Sequence, residues 1–158
     1  MKCFFSILLT LFIITNCISQ TKVFKRNSTY IGDQICSVSK GKVYKKRSSY
    51  IGDITLTIND YKIYKKNSIY IGDIIYTLSN GKVYKGNSTY IGDIILTFKD
   101  GKVYEGNSTY IGDILLTKED EKIYKGNSTY IGDILYTISD YVTQQEFVAI
   151  WHMVNYVY

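Results

Sequence analysis

The chain has 158 residues, 17 of them tyrosine and none proline, with a formal net charge of +5. That length suits one domain rather than several. The cationic excess is mild and recurs with the sequence's own period, which argues against a nucleic-acid-binding stripe.

Residues 1–19 read as a secretory signal. Lys2 supplies the positive start, Phe4 to Ile14 form an apolar run, and small residues at Cys17 and Ser19 suit cleavage before Gln20. The run is shorter than the ~20 residues a membrane-spanning helix needs, so the mature chain carries no transmembrane segment. A second reading takes Cys17 as a lipidated first residue, although Asn16 fits poorly before such a cysteine. Either reading sends the protein to the periplasm, the cell envelope or the exterior. Cleavage before Gln20 leaves Cys36 as the one cysteine, which rules out an internal disulfide and suits an inert core thiol.

From residue 20 to 141 a block of twenty residues is written six times, with copies starting at Lys22, Lys42, Lys62, Lys82, Lys102 and Lys122. Copies this short cannot bury an apolar face alone, so they pack on one another. In the fourth copy and its successor, Ile94, Leu96 and Phe98 alternate with Asp93, Ile95 and Thr97, the period of a strand. Asp100-Gly101 then marks a two-residue hairpin, because glycine accepts the positive φ of a type I′ turn. Lys40-Gly41 and Asn80-Gly81 repeat the signal, while Asp60-Tyr61, Asp120-Glu121 and Asp140-Tyr141 predict looser turns. Leu96 would oppose Glu105, so pairing is expected to end or bulge there. Asn107 and Ser108 predict a second reversal, and Gly112, present in every copy, marks a bulge or a close backbone approach.

Two architectures satisfy such a repeat. In a β-solenoid the equivalent lysines and the equivalent aspartates Asp33, Asp53, Asp73, Asp93, Asp113 and Asp133 stack into columns of like charge, which is destabilising. A closed ring of six hairpins, flower-like or propeller-like, separates equivalents, lets each lysine meet a neighbour's aspartate and removes free edges. The ring is the preferred reading. The half-units Lys22 to Thr29 and Tyr130 to Tyr141 would close a sixfold ring by pairing with each other; otherwise the body is fivefold.

The recurring "NSTYIGD" and "DGKVY", on a secreted chain with a short leader, resemble the β-flower repeat proteins of Bacteroidota over residues 22 to 141. That resemblance implies a roughly fivefold flower of β-hairpins and no known activity. The chain differs in carrying an aspartate after the glycine of every copy.

From Thr143 the period changes. Phe147, Ile150, Trp151, Val154 and Tyr158 form one apolar stripe of a helix, and Thr143 with Glu146 makes a capping box. A helix over about Gln144 to Tyr156 is expected to cap one end of the ring across residues 142–158, with insertion into its mouth as the alternative.

Little in the chain suggests catalysis. His152, the only histidine, falls on the polar side of the helix beside Asn155. No glycine-rich phosphate loop, Cys/His cluster or nucleophile elbow is present, so no catalytic, cofactor or metal residue is assigned. The six aspartates would suit calcium only by converging on an axis; a structural turn uses the same Gly-Asp pair. Asn27, Asn87, Asn107 and Asn127 head glycosylation-type triplets but read first as turns, since the leader looks bacterial. The strongest binding signal is two tyrosine columns: Tyr30, Tyr50, Tyr70, Tyr90, Tyr110 and Tyr130, and Tyr44, Tyr64, Tyr84, Tyr104 and Tyr124. The expectation is a secreted, non-enzymatic structural or interaction module of the cell envelope. The alternative is a lectin-like domain holding extracellular polysaccharide through exposed tyrosines. A calcium-dependent adhesin stands third.

Overall fold

The computed structural model describes residues 20–158, so residues 1–19, read above as a signal, and Cys17 among them lie outside the described residues. The first six strands are β1 Thr21–Lys25, β2 Gln34–Ser39, β3 Lys42–Lys45, β4 Ile54–Asn59, β5 Lys62–Lys65 and β6 Ile74–Ser79. The next six are β7 Lys82–Lys85, β8 Ile94–Lys99, β9 Lys102–Glu105, β10 Ile114–Glu119, β11 Lys122–Lys125 and β12 Ile134–Ile138. Each pairs antiparallel with its chain neighbours, and β1 closes on β12 through Val23–Ile138, Phe24–Thr137 and Lys25–Tyr136. The half-units do join, and the result is a closed twelve-stranded barrel of six hairpins. It is neither a solenoid nor a fivefold flower. Its strands of four to six residues are shorter than the ~9–11 of a membrane-crossing strand. Among the described residues no helix is long and apolar enough to cross a membrane.

Two-residue turns close the hairpins. Lys40-Gly41, Asn80-Gly81 and Asp100-Gly101 hold positive φ at both positions, as a type I′ turn requires. The turns at Asp60-Tyr61 and Asp120-Glu121 close no more loosely, for Asn59 faces Lys62 and Glu119 faces Lys122 as their counterparts do. Pairing within a hairpin also runs through to Leu96–Glu105, where Glu105 escapes the apolar face by emerging at the rim, exposed. The bulge lies one strand over, between hairpins: Val83 faces Leu96 but Tyr84 faces Ile94, leaving Ile95 as the extra residue.

That bulge decides which residues face inward. An extra residue shifts the alternation by one, so Ile94 does not share the inner face with Leu96 and Phe98 as simple alternation predicts. Ile95 packs with Leu96 against the central core. Ile94 joins Tyr84, Tyr104 and Thr97, all buried but outside the central core. This outer layer is covered by the long loop leaving each hairpin, as the bond from Thr97 Oγ1 to the Gly106 carbonyl (2.7 Å) shows. Thr57, Thr77, Thr117 and Thr137 bond the equivalent carbonyls. The loops are the petals, folded back over the wall.

The inner layer surrounds a helix. Helix α1 Gln144–His152 begins at the expected capping box, with Thr143 and Glu146 bonding reciprocally, and runs into a wider π-helical turn over Met153–Val157. Phe147, Val148, Ala149, Ile150 and Trp151 are all buried and belong to the same core as Val23, Leu56, Ile63, Val83, Leu96, Val103, Leu116 and Ile123. Five consecutive buried residues at 100° each go right round the helix. A cap resting on the rim would bury one stripe only; this helix is a plug threaded through the lumen. The dimensions agree. Twelve strands at ~4.8 Å make a wall of radius about 9 Å before tilt widens it, which admits a helix core and one lining of side chains. Phe98 meets Phe147 edge-on at 5.6 Å near the hairpin turns, and Tyr76 meets Trp151 at 6.0 Å toward the other end.

Candidate binding surface

Each petal is built from Asn-Ser-Thr-Tyr-Ile-Gly-Asp or a close variant, and each residue has a mechanical task. In the fourth, Ser88 Oγ donates to Asp93 Oδ2 and accepts from the Tyr90 amide at 3.0 Å. The Asp93 amide closes a short 3₁₀ turn on the Tyr90 carbonyl at 2.9 Å. All six petals repeat the serine-to-aspartate bond. The aspartates therefore serve the turn, one per petal, and among the described residues no three His, Cys, Asp or Glu side chains gather as a metal site. Nor do Lys42 and Lys102 meet aspartates: Lys42 Nζ reaches the neighbouring petal at Asn67 Oδ1 (2.7 Å) and also bonds Thr57, while Lys102 bonds Asn127. At these two places neighbouring hairpins are tied by lysine–asparagine contacts.

The invariant glycine is explained by the tyrosine before it. A Cβ on Gly92 would lie 2.6 Å from Tyr90 Cε1, and the other five copies show the same approach. One side of the phenol ring, through Cε1 and Cδ1, closes on the glycine, while most of the tyrosine stays exposed. The φ of this glycine is ordinary; the close approach alone forbids a side chain.

The two tyrosine columns separate. Tyr64, Tyr84, Tyr104 and Tyr124 are 6–9% exposed in the outer layer, with Phe24 in the equivalent place in the first copy, while Tyr44 is half-buried. Tyr30, Tyr50, Tyr70, Tyr90, Tyr110 and Tyr130 are 69–70% exposed, each followed by an isoleucine that is more than half exposed. The barrel's repetition thus displays six equal Tyr–Ile pairs round its outside. The isoleucines are the part that sequence reasoning missed; their signal was an apolar column falling within a turn rather than a strand.

His152 is not a solvated helix residue. Its Nδ1 lies 2.9 Å from the Tyr76 hydroxyl, and its ring packs against Tyr76 and Tyr156 at 5.4 and 5.1 Å. Burial lowers its pKa below the ordinary 6.5 and, together with Tyr156, pushes Tyr76 up to about 12. Cys36 is fully buried in the central core, and desolvation pushes its thiol up to about 12. A thiol held protonated in this way is a poor nucleophile.

The family model of the 6-fold beta flower proteins matches residues 23–151. The chain belongs to that family. The match runs from β1 into the lumen helix, so the plug is part of the family's pattern along with the petals. No curated protein and no solved structure matches the chain. The fold and the family together make this a small repeat structural module.

Proposed function

We propose that this beta flower is a non-enzymatic interaction module of the cell envelope, delivered there by the signal in residues 1–19. It engages an extended partner through many weak, equivalent contacts, and the surface it uses is the ring of six Tyr–Ile pairs. One observation carries this reading: all six tyrosines of one column stand about 70% exposed, although the same chain buries tyrosine readily elsewhere. A phenol combines apolar area with a polar tip, and six copies on one rigid ring convert small affinities into avidity. The one histidine and the one described cysteine are occupied by packing, which leaves no general base or thiolate poised for chemistry.

The test is a dose series. Binding to isolated cell-wall material falls more than proportionally as two, four and then six of these tyrosines are replaced by alanine, because avidity is lost faster than sites. Undiminished binding by the six-alanine variant refutes the role of the ring.

A polysaccharide partner is favoured by the exposure of all six rings, since an exposed phenol can stack on a sugar. A glycan array that retains no sugar removes this lectin-like form of the proposal.

A further inference from the structure

The six petals are equal in shape but not in charge. Petals one to three leave β1, β3 and β5, which alternate with β2 and β4 along one arc of the wall. Residues 25–33, 45–53 and 65–73 together hold seven lysines and arginines against three aspartates, a net +4. Residues 85–93, 105–113 and 125–133 hold two lysines against Glu105 and three aspartates, a net −2. The cationic excess is therefore not spread by the repeat; it is gathered on one half of the ring. Lys25, Arg26, Lys45, Lys46, Arg47, Lys65 and Lys66 are all exposed. Lys25 Nζ alone has a ring beneath it, 4.6 Å from the Tyr158 centroid.

The backbone shows that this arc is held against local preference. Arg26, Lys46 and Lys66 sit at φ of 50°, 49° and 53°, in the left-handed region. The equivalent positions of the other petals are Gly86, Gly106 and Gly126, at φ of 63°, 56° and 58°. All six make the same amide bond to the wall, Arg26 to the Leu135 carbonyl and Gly86 to the Ile75 carbonyl among them. Left-handed backbone strains an L side chain and leaves glycine unstrained. Three adjacent petals thus carry a long cation where the same chain, in the same geometry, elsewhere uses the relaxed residue. Position 47 repeats the pattern. Lys42 and Lys102 each bond an asparagine 25 residues on, but 25 residues after Lys22 stands Arg47, which adds a like charge where the others have an acceptor. Strain retained on one side of a symmetric body points to use.

We propose that petals one to three form a binding arc for an acidic polysaccharide, its carboxylate or sulfate groups meeting the cations and its sugar rings meeting Tyr30, Tyr50 and Tyr70. This rests on the interaction role of the tyrosine ring and names its ligand class. Equivalent cations leave every second strand, ~10 Å apart at the wall, about the length of two sugar units, so that every second acidic group of a polyuronate comes level with a cation. The petals lie on a convex wall. A flexible single chain meets three of them in turn, whereas a flat bilayer or a stiff duplex meets one.

The test compares the wild-type chain with R26G/K46G/K66G, using polygalacturonate as the probe. These substitutions install the residue that petals four to six already carry, so the fold is retained and the melting temperature stays level or rises. Wild-type binding is expected to weaken steeply with salt, and the variant to bind about tenfold more weakly, about 1.4 kcal/mol. Equal affinity of variant and wild type overturns the arc. Equal binding of neutral dextran, or tighter binding of poly(dT) or of phosphatidylglycerol vesicles, overturns the ligand class. A parallel variant, Y90A/Y110A/Y130A, lies on the other half of the ring. If it loses cell-wall binding while the glycine variant keeps polygalacturonate, the arc alone fails; if neither variant loses anything, the tyrosine ring fails with it.

Discussion

The lumen and the petals use the same kinds of residue to opposite ends. In the lumen, aromatic rings close contacts: Phe98 on Phe147 and Tyr76 on Trp151 fix the helix at two levels. On the petals, six tyrosines are set close against glycines and left open to solvent. The lumen holds the fold together by burying area. The petals hold themselves by a serine–aspartate bond and a tight turn, needing almost none of the tyrosine's apolar surface for stability. A side chain that stability does not need is free to serve recognition, and this difference is what each prediction probes.

The sharpest break is removal of the plug. A chain ending at Val142 loses Phe147, Val148, Ile150, Trp151 and Met153 from the core. At ~1.5–3 kcal/mol for each large side chain, the loss matches or exceeds the ~5–15 kcal/mol that holds a typical domain together. We expect no cooperative unfolding transition by circular dichroism in that chain. Trp151→Ala alone should cost ~3–5 kcal/mol in urea unfolding. A truncated chain that still melts cooperatively would mean that the wall stands without its filling.

Next comes the contrast between the tyrosine columns. Tyr104→Ala empties a buried outer-layer site and should cost ~3 kcal/mol, while Tyr110→Ala, seven-tenths exposed, should stay within ~1 kcal/mol. Equal costs in chemical denaturation would show that the exposed ring is structural after all.

Much of this was legible in the chain. The period of twenty gave the repeat, Asp100-Gly101 gave the hairpin, and the like-charge columns argued for a ring. Three things were not legible, each for a physical reason. The phase of Ile94 depended on a bulge between hairpins, and a pattern read along one strand carries no record of its neighbour's register. The plug looked like a cap because the stripe of Phe147, Ile150, Trp151 and Val154 is the same for both. Val148 and Ala149 were the signal that the other sides are apolar too. The clustering of charge was hidden by averaging over copies that share a shape: Arg26, Lys46 and Lys66 become informative only beside Gly86, Gly106 and Gly126, once the wall sets them side by side.

A smaller perturbation joins the petal's two halves. Gly112→Ala places a Cβ 2.7 Å from Tyr110 Cε1, so the exposed ring must swing away. The cost should be about 1 kcal/mol, because the colliding atom belongs to a mobile side chain. In a Tyr110→Ala background the same change should cost almost nothing, a coupling that a double-mutant cycle reads directly. Additive effects would mean that the glycine answers to the backbone and not to the tyrosine.

The smallest effect expected is one of pH, and it belongs to the lumen alone. Burial lowers the His152 pKa in the folded chain below its ordinary 6.5, so the unfolded chain binds the proton more readily. Stability is then fully present above about pH 6.5 and is lost as the pH falls through the folded value. The groups packed on the ring are Tyr76 and Tyr156, with Lys65, Lys85 and Glu105 along the opening that Tyr76 and Tyr156 line. His152→Gln keeps a polar side chain near Tyr76 without the titration. Its melting temperature should therefore follow a flatter course between pH 7 and 5 than that of the wild-type chain. Parallel curves for the two proteins would place any acid sensitivity outside the lumen.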